Sequence, residues 1–277
     1  MRYVHFLHQG RPTLGVRRGE AVQILGEEPL ESLLARGVDL LEYASASTGP
    51  LVRVAEDAWL PLMRQPPKIV CVGLNYADHT RETDFAQPDY PTFFARFASS
   101  LTAHNRPLVR PRLSDSLDYE GEMAVVLKSG GRHIRREDAL QHVAGYALFN
   151  EASVRDYQFR STQWTVGKNF DATGAFGPEL VTADELPEGG KGLHIETRLN
   201  GEVVQAANTR DMLFDVATLI ATLSEAMTLQ AGDVIVSGTP AGVGFAREPR
   251  LYLKAGDRVE VHIEGIGTLS NPVVDEA

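Results

Sequence analysis

The chain has 277 residues, 43% of them hydrophobic, and a formal net charge of −10 at pH 7. A chain of this length can bury a full core, in one large domain or in a large domain with a small companion. Basic residues are scattered among acidic ones, which excludes a basic stripe for nucleic acid. No apolar run is long enough to cross a membrane, and the first residues lack a signal-peptide core, so we expect a cytoplasmic protein.

The first part of the chain is predicted to be small. Short strands interrupted by glycine and proline are expected in MRYVHFLHQGRPTLGVRRGEAVQIL, and one or two helices in PLESLLARGVDLLEYAS. Pro66 and Pro67 restrict the backbone around them and indicate a linker. We therefore predict a small N-terminal domain, residues 1–67, and a larger second domain, residues 68–277.

Strand-like segments dominate the larger domain. They are KIVCVG, PTFFARF, EMAVVLK, AGYALFN, HIETRLN, EVVQAA, DVIVSG and DRVEVHIEG. Asn200 and Gly201 predict a hairpin between two of them. Apolar residues three and four apart from Val216 to Met227 predict a helix, which Gly232 is expected to end. Many strands and few helices favour a β-rich α+β fold over an alternating parallel one.

Carboxylates are concentrated at the start of the segment DYEGEMAVVLK. Asp118, Glu120 and Glu122 alternate there, and on one strand they would face the same side, where like charges repel. Glu151 follows another apolar segment, AGYALFN. Together Glu120, Glu122 and Glu151 could bind a hard divalent cation such as Mg²⁺, Mn²⁺ or Ca²⁺, which would offset the repulsion. The alternative is the solvated face of a half-buried strand, and the spacing leaves both open.

A histidine and a glutamate form the second feature. In GLNYADHTRE, His79 and Glu82 are three residues apart, so on a short helix they share a face. The glutamate can then orient and polarise the imidazole, as a general base requires. A local hydrogen bond or ion pair without a catalytic role is the alternative. Tyr76 lies in the preceding turn, and its alternative role is only to shape that turn.

Two further segments carry groups that could bind an anion. Arg155, Gln158 and Lys168 lie downstream of Glu151 and could hold a carboxylate or an enolate. Exposed cations are the alternative for Arg155 and Lys168. The segment VSGTPAGVGF, which includes Thr239, allows a tight turn whose amides could cradle an anionic group, or it is only a glycine-rich turn.

Five segments together resemble the fumarylacetoacetate hydrolase family in order and spacing. They are KIVCVGLNYADHTRE, DYEGEMAVVL, GYALFNEASVRDYQ, GKNFD with GAFGP, and SGTPAGVG, within about residues 68 to 275. The resemblance implies a mixed β-roll preceded by a small N-terminal α/β domain. It also implies a homodimer and one Mg²⁺ or Mn²⁺ held by Glu120, Glu122 and Glu151. Much of the family has Asp in place of Glu151, and many relatives have Lys in place of Arg96.

The resemblance also implies a reaction and its residues. His79 and Glu82 would be an acid/base dyad, and Lys168 would lie near the cleaved bond. The implied substrate is a small 2-oxo acid, and the implied reaction is C–C hydrolysis of an acylpyruvate, fumarylpyruvate or maleylpyruvate, in aromatic or other catabolism. Alternatives are a decarboxylase, isomerase, hydratase or lyase of the same fold, or a non-catalytic dicarboxylate-binding protein. The residues expected to bind substrate are Tyr76, Phe94, Arg96, Arg155, Gln158 and Thr239.

Overall fold

The structure, a computed structural model, describes residues 1–82 and 87–277. Strands and two short helices make up the first 67 residues. These elements are β1 (Arg2–His8), β2 (Arg11–Arg18), β3 (Ala21–Gly26), α1 (Leu30–Ala35), α2 (Leu40–Ala46) and β4 (Leu51–Val52). The Asp39 side chain accepts hydrogen bonds from the amides of Leu41 and Glu42. It thereby caps the start of α2, where backbone amides lack helical partners.

The rest of the chain is mostly strand. Its elements are β5 (Ile69–Gly73), α3 (Ala77–Glu82), β6 (Thr92–Ala95), β7 (Leu101–Thr102), β8 (Leu108–Arg110), β9 (Leu117–Asp118), β10 (Gly121–Leu127), β11 (Val143–Glu151), β12 (Ser153–Val154), α4 (Arg155–Gln158), β13 (Gly174–Thr182), β14 (His194–Leu199), β15 (Glu202–Asn208), α5 (Val216–Ala226), β16 (Val234–Val236), β17 (Arg258–Ile263) and β18 (Gly267–Asp275). The predicted β-rich α+β fold is confirmed.

Two large sheets contain most of the described strands. The larger has the order β4-β3-β2-β1-β13-β11-β10-β16-β5-β6, and β7 also pairs with β13. The smaller has the order β15-β14-β17-β18-β8, and β9 pairs separately with β12. In the larger sheet β10, β11 and β13 are antiparallel neighbours, whereas β16 and β5 are parallel. The sheet is therefore mixed, as the family resemblance implied.

Strand β10 is covered on both faces. Met123, Val125 and Leu127 belong to one hydrophobic cluster, which includes residues of β14, β17 and α5. Ala124 and Val126 belong to another, which includes residues of β1, β2 and α1. This alternation follows from the two-residue period of a strand. Because β10 is covered from both sides, polar residues near its ends are shielded from solvent.

The predicted hairpin is confirmed. Asn200 and Gly201 join β14 to β15, which pair antiparallel. Their φ angles are 53° and 86°. Positive φ at both central residues is what a two-residue type I′ hairpin turn requires.

Helix α5 begins as predicted but ends well before Gly232. Met227, the residue after the helix, is extended with φ −141° and ψ 154°. The amide of Leu229 then donates to the carbonyl of Gly131 at 2.9 Å. Pairing with the Gly131 segment therefore ends the helix, and the prediction that Gly232 stops it is wrong. Along the described residues, no helix combines the length and apolarity that crossing a membrane needs.

The N-terminal strands continue the large sheet. Strand β1 pairs antiparallel with β13, with Arg2 opposite Val181 and Val4 opposite Glu179. Strands β2, β3 and β4 then add to β1 in turn. The first 67 residues are thus joined to the larger part by backbone pairing, and the division at residue 67 stays a prediction.

Candidate active site

Three buried glutamates meet at one end of the central strands. Glu120 precedes β10, Glu122 lies in it, and Glu151 is the last residue of β11. The antiparallel pairing of Gly121 with Asn150 brings these ends together. One carboxylate oxygen from each glutamate lies within 4.8 Å of the other two. Glu120 is 4% exposed, and Glu122 and Glu151 are 1% exposed, so these carboxylates do not form a solvated strand face.

Two cations contact Glu120 directly. Lys168 Nζ lies 2.8 Å from Glu120 and 2.9 Å from Glu151. Arg155 Nη1 lies 2.5 Å from Glu120. Burial alone would raise the pKa of Glu120, but the charges of Lys168 and Arg155 outweigh it and lower the pKa to about 2. Glu120 is therefore ionised at neutral pH.

Glu122 is the least compensated of the three. It forms no ion pair within residues 1–82 and 87–277, and it accepts a 2.5 Å hydrogen bond from the amide of Gly238. Burial, together with the charges of Glu151 and Glu120, raises the pKa of Glu122 well above its usual range. A cluster of carboxylate oxygens with excess negative charge fits a divalent cation such as Mg²⁺ or Mn²⁺. The three glutamates are thus suited to hold one.

The predicted histidine–glutamate pair is formed on α3. Nδ1 of His79 lies 2.8 Å from Oε1 of Glu82. The other oxygen of Glu82 accepts a 2.8 Å hydrogen bond from the amide of Gly242. Because Gly242 lies in the loop after β16, this bond ties α3 to that loop. His79 lines the same cavity as the three glutamates, so an acid/base group faces the candidate cation site.

The glycine-rich loop after β16 directs its amides at carboxylates of the protein itself. The amides of Gly238, Gly242 and Gly244 donate to Glu122, Glu82 and Asp118, respectively. Thr239 contributes its hydroxyl, which donates to the carbonyl of Gly121 at 3.0 Å and accepts from Gln205. These amides therefore organise the site's own acids, in place of the anion cradle that the sequence left open.

Asp118 and Arg155 form a buried pair beside the cluster. Asp118 accepts from Arg155 Nε at 2.8 Å and from the amides of Gly244 and Phe245. Arg155 Nη1 donates to Gln158 at 2.8 Å, while its Nη2 is buried without a hydrogen-bond partner among the described residues. Arg155 and Gln158 line the cavity, so Nη2 is an unused hydrogen-bond donor of a residue on the cavity wall.

The cavity itself is small and has aromatic walls. Its volume is about 20 Å³. The rings of Phe94 and Trp164 meet edge to face with centroids 5.4 Å apart, and Lys168 Nζ lies 4.9 Å from the Phe94 ring. Of the residues singled out in the sequence, those that line it are His79, Phe94, Glu120, Glu122, Glu151, Arg155, Gln158, Lys168 and Thr239.

Sequence reasoning missed the other aromatic walls and the role of Asp118. Phe159, Trp164 and Phe245 also line the cavity. Phe159 and Trp164 lie between two residues that were singled out, Gln158 and Lys168, and this position is the signal that could have found them. An aromatic side chain close to a predicted anion-binding residue is a candidate wall, because it limits water near the charges.

Two predicted substrate-binding residues lie away from this cavity. Tyr76 lines a neighbouring cavity of about 440 Å³ together with Asp78 and Asp211. Arg96 is 2% exposed and lies against Glu151, with its guanidinium in contact with the protein. Substrate contact by Tyr76 and Arg96 stays a prediction, and neither is placed for it in this conformation.

Sequence comparison identifies relatives of this chain. The family model "Fumarylacetoacetate (FAA) hydrolase C-terminal" matches residues 68–274. The chain is 38% identical over 288 residues to the mitochondrial oxaloacetate tautomerase Fahd2a of Rattus norvegicus, and the match covers 99% of this chain and 92% of that protein.

Structural comparison agrees over the full length. A fumarylacetoacetate hydrolase from psychrophilic Exiguobacterium antarcticum has a TM-score of 0.88 and 36% identity, and 100% of both chains is covered. A maleylpyruvate hydrolase from Sphingobium sp. SYK-6, in complex with manganese(II) ion and pyruvate, has a TM-score of 0.83 and 27% identity, again with 100% of both chains covered.

Proposed function

The chain belongs to the fumarylacetoacetate hydrolase family, and from that premise we propose that it is a tautomerase of a small 2-oxo dicarboxylic acid such as oxaloacetate. The proposal rests on one observation above all. A buried cluster of three glutamates faces a histidine held by a glutamate, in one small cavity. Similarity over 99% of the chain to an oxaloacetate tautomerase supports this choice of reaction.

The proposed enzyme depends on a divalent cation. Glu120, Glu122 and Glu151 would hold it, as their convergence within 4.8 Å supports. When bound, Mg²⁺ or Mn²⁺ supplies Lewis-acid polarisation of the substrate's 2-oxo group, which acidifies the neighbouring carbon. The manganese(II) ion of the similar maleylpyruvate hydrolase favours Mn²⁺ as the first metal to test.

Residues of the chain would bind the substrate and move the proton. Arg155, through its unpartnered Nη2, would bind a substrate carboxylate. His79 would take a proton from the carbon next to the 2-oxo group: the C–H pair becomes the C=C bond, and the carbonyl π pair moves to the oxygen. His79 would then give that proton to the oxygen, which yields the enol, and the reverse sequence restores the ketone. Lys168, on the cavity wall, would stabilise the negative oxygen before it is protonated.

Hydrolysis of an acylpyruvate is the second candidate, as the sequence first indicated. The His79–Glu82 pair could deprotonate a water for attack on the distal carbonyl. The C–C bond would then break, and its electron pair would leave with pyruvate as the enolate, which gains a proton. The fold shared with a maleylpyruvate hydrolase supports this alternative.

The two reactions are separated by their products. With oxaloacetate and Mn²⁺, the protein should accelerate the loss of enol absorbance, and pyruvate should form no faster than in the Mn²⁺-only control, where the metal itself slowly decarboxylates oxaloacetate. Glu122→Gln should lose at least about 100-fold in this rate, since even residues that only support a metal ligand contribute 10- to 100-fold. Glu202→Gln, a change at an exposed glutamate of β15, is the matched control and should retain the rate.

Pyruvate formed in step with loss of acetylpyruvate would instead favour the hydrolase. Equal rates for the wild type, Glu122→Gln and free Mn²⁺ with either substrate would reject both reactions.

Three earlier expectations stay predictions: the homodimer, the cytoplasmic location and a place in aromatic catabolism. The first is checked by measuring the mass in solution.

A further inference from the structure

Arg96 directly follows β6 and is enclosed by protein. Its side chain has no exposed surface. Nη2 donates to the carbonyl of Ala152 at 2.8 Å, and Nη1 donates to Ser100 Oγ at 3.2 Å and to Thr173 Oγ1 at 3.1 Å. Arg96 does not line the cavity of the three glutamates. Its guanidinium is therefore held in one orientation by fixed partners behind the site.

The remaining guanidinium nitrogen faces a carboxylate of the cluster. Nε of Arg96 lies 3.4 Å from Oε1 of Glu151. The other oxygen of Glu151 lies 2.9 Å from Lys168 Nζ, inside the cavity wall. Glu151 is thus held from two sides, by Arg96 behind the site and by Lys168 within it.

The backbone leaves room for this guanidinium at one glycine. A Cβ on Gly174 would lie 2.7 Å from Nη1 of Arg96 and 3.1 Å from its Cδ. Gly174 stands opposite Glu151 in the pairing of β11 with β13. The strand beside the one that carries Glu151 therefore leaves the space that Arg96 occupies.

We propose that Arg96 is a positioning residue that fixes Glu151 as a metal ligand. The inference rests on the metal site of the proposed function. Because the glutamate side chain is flexible, its carboxylate needs such restraint to stay in one position. The planar fork of Arg96 binds Ala152, Ser100 and Thr173 and still presents Nε to Glu151. A lysine ammonium in place of Arg96 has one nitrogen for all of these acceptors.

Four proteins test whether Arg96 acts through Glu151: the wild type, Arg96→Lys, Glu151→Asp and the double variant. Mn²⁺ affinity is measured from the EPR signal of free Mn²⁺, with no substrate present. Each single variant should bind Mn²⁺ about 10- to 100-fold more weakly, as expected for loss of support to a metal ligand. The double variant should bind Mn²⁺ at least about tenfold more tightly than expected if the two single losses of affinity multiplied, because residues in contact are coupled.

Two further variants show whether a change in Mn²⁺ affinity is specific to Arg96 and whether it depends on misfolding. Arg110→Lys changes a partly buried arginine that pairs with Asp275 and should leave Mn²⁺ affinity unchanged. Melting temperatures without metal show whether each variant is folded. If Arg96→Lys does not fold, Ser100→Ala, which removes one acceptor of the guanidinium, should weaken Mn²⁺ binding several-fold in a folded protein.

The outcomes separate this inference from the proposed function. Wild-type protein that binds no Mn²⁺ overturns both the metal site and the inference. If the wild type binds Mn²⁺ and both Arg96→Lys and Ser100→Ala bind it equally well, only the inference is overturned. If the two losses of Mn²⁺ affinity simply multiply in the double variant, Arg96 does not act through Glu151 and the inference is overturned. Mn²⁺ binding that follows the expected pattern, without turnover of any 2-oxo acid, supports the inference and rejects the proposed reactions.

Discussion

At the scale of single residues, His79 is the acid/base group that the geometry supports best. Glu82 holds its Nδ1, and Glu82 is itself held by the amide of Gly242. The imidazole is therefore oriented through two successive hydrogen bonds before any substrate arrives. Both bonds come from α3 and the loop after β16, and neither uses a carboxylate of the candidate metal site.

Replacing His79 should consequently separate catalysis from metal binding. We expect His79→Ala to lower kcat about 10²- to 10⁴-fold, the usual contribution of a positioned acid or base. Mn²⁺ affinity should stay within about twofold of the wild type, because Glu120, Glu122 and Glu151 are unchanged. Steady-state kinetics and Mn²⁺ titration on the same preparation provide both values. Unchanged kcat with the best substrate found would remove His79 from the mechanism.

The sequence predicted the carboxylate cluster but not the position of Arg96. Two local signals predicted the cluster: the alternation of Glu120 and Glu122, and the position of Glu151 after an apolar segment. Both lead to one site because the two segments form neighbouring antiparallel strands. The position of Arg96 depends on residues far away in the chain, among them Thr173 and Gly174. No local periodicity carries such information, so Arg96 was expected to contact substrate.

At the scale of elements, the loop after β16 is held by its own amides. Gly238 has φ +101°, and a Cβ there would lie 2.7 Å from Asn75 Cβ and 3.0 Å from the carbonyl oxygen of Val72. Its amide donates to Glu122. A side chain at Gly238 would therefore disturb both the packing and the hydrogen bond to one candidate metal ligand.

Two glycine substitutions test the crowding of this loop. Gly256 has φ +92°, and a Cβ added there would meet no atom within 4 Å, so Gly256→Ala should cost only the left-handed backbone conformation, about 1–2 kcal/mol. Gly238→Ala has the same backbone cost and an overpacking cost of about 1–3 kcal/mol in addition. Equilibrium urea unfolding measures both. Equal losses of unfolding free energy for the two variants would show that the loop accommodates a Cβ at Gly238 without an overpacking cost.

Strand β13 shows where local sequence signals fail at this scale. Its sequence, GAFGPELVT, contains two glycines and a proline, which argue against a central strand. The register between β11 and β13 shifts between Tyr146 and Leu148, where the partner residues jump from Val181 to Gly177. Pro178 therefore lies in the irregular stretch, where a regular ladder hydrogen bond is not required. Pairing with β1 and β11, and not propensity, makes this segment a strand.

At the scale of the whole molecule, residues 1–67 complete a hydrophobic core as well as a sheet. Tyr3, Leu14 and Leu33 belong to one buried cluster with Phe149 and Phe176. Phe149 lies in β11, which ends beside the candidate site at Glu151, and Phe176 lies in β13, which begins there at Gly174. The short segments before Pro66 and Pro67 predicted a small leading part, but only tertiary contacts reveal how much of its surface packs against the rest of the chain.

We therefore expect residues 68–277 produced alone to be poorly soluble. Removing residues 1–67 would leave the β13 edge unpaired on the β1 side and expose the apolar surface around Phe149 and Phe176, and both features promote aggregation. Soluble yield and size-exclusion profiles of residues 68–277 are compared with those of the full chain. Co-expression with residues 1–67 should restore solubility, because the missing strand and core residues return together. A soluble fragment 68–277 that unfolds cooperatively would instead mark residues 1–67 as a separable domain, as the sequence predicted.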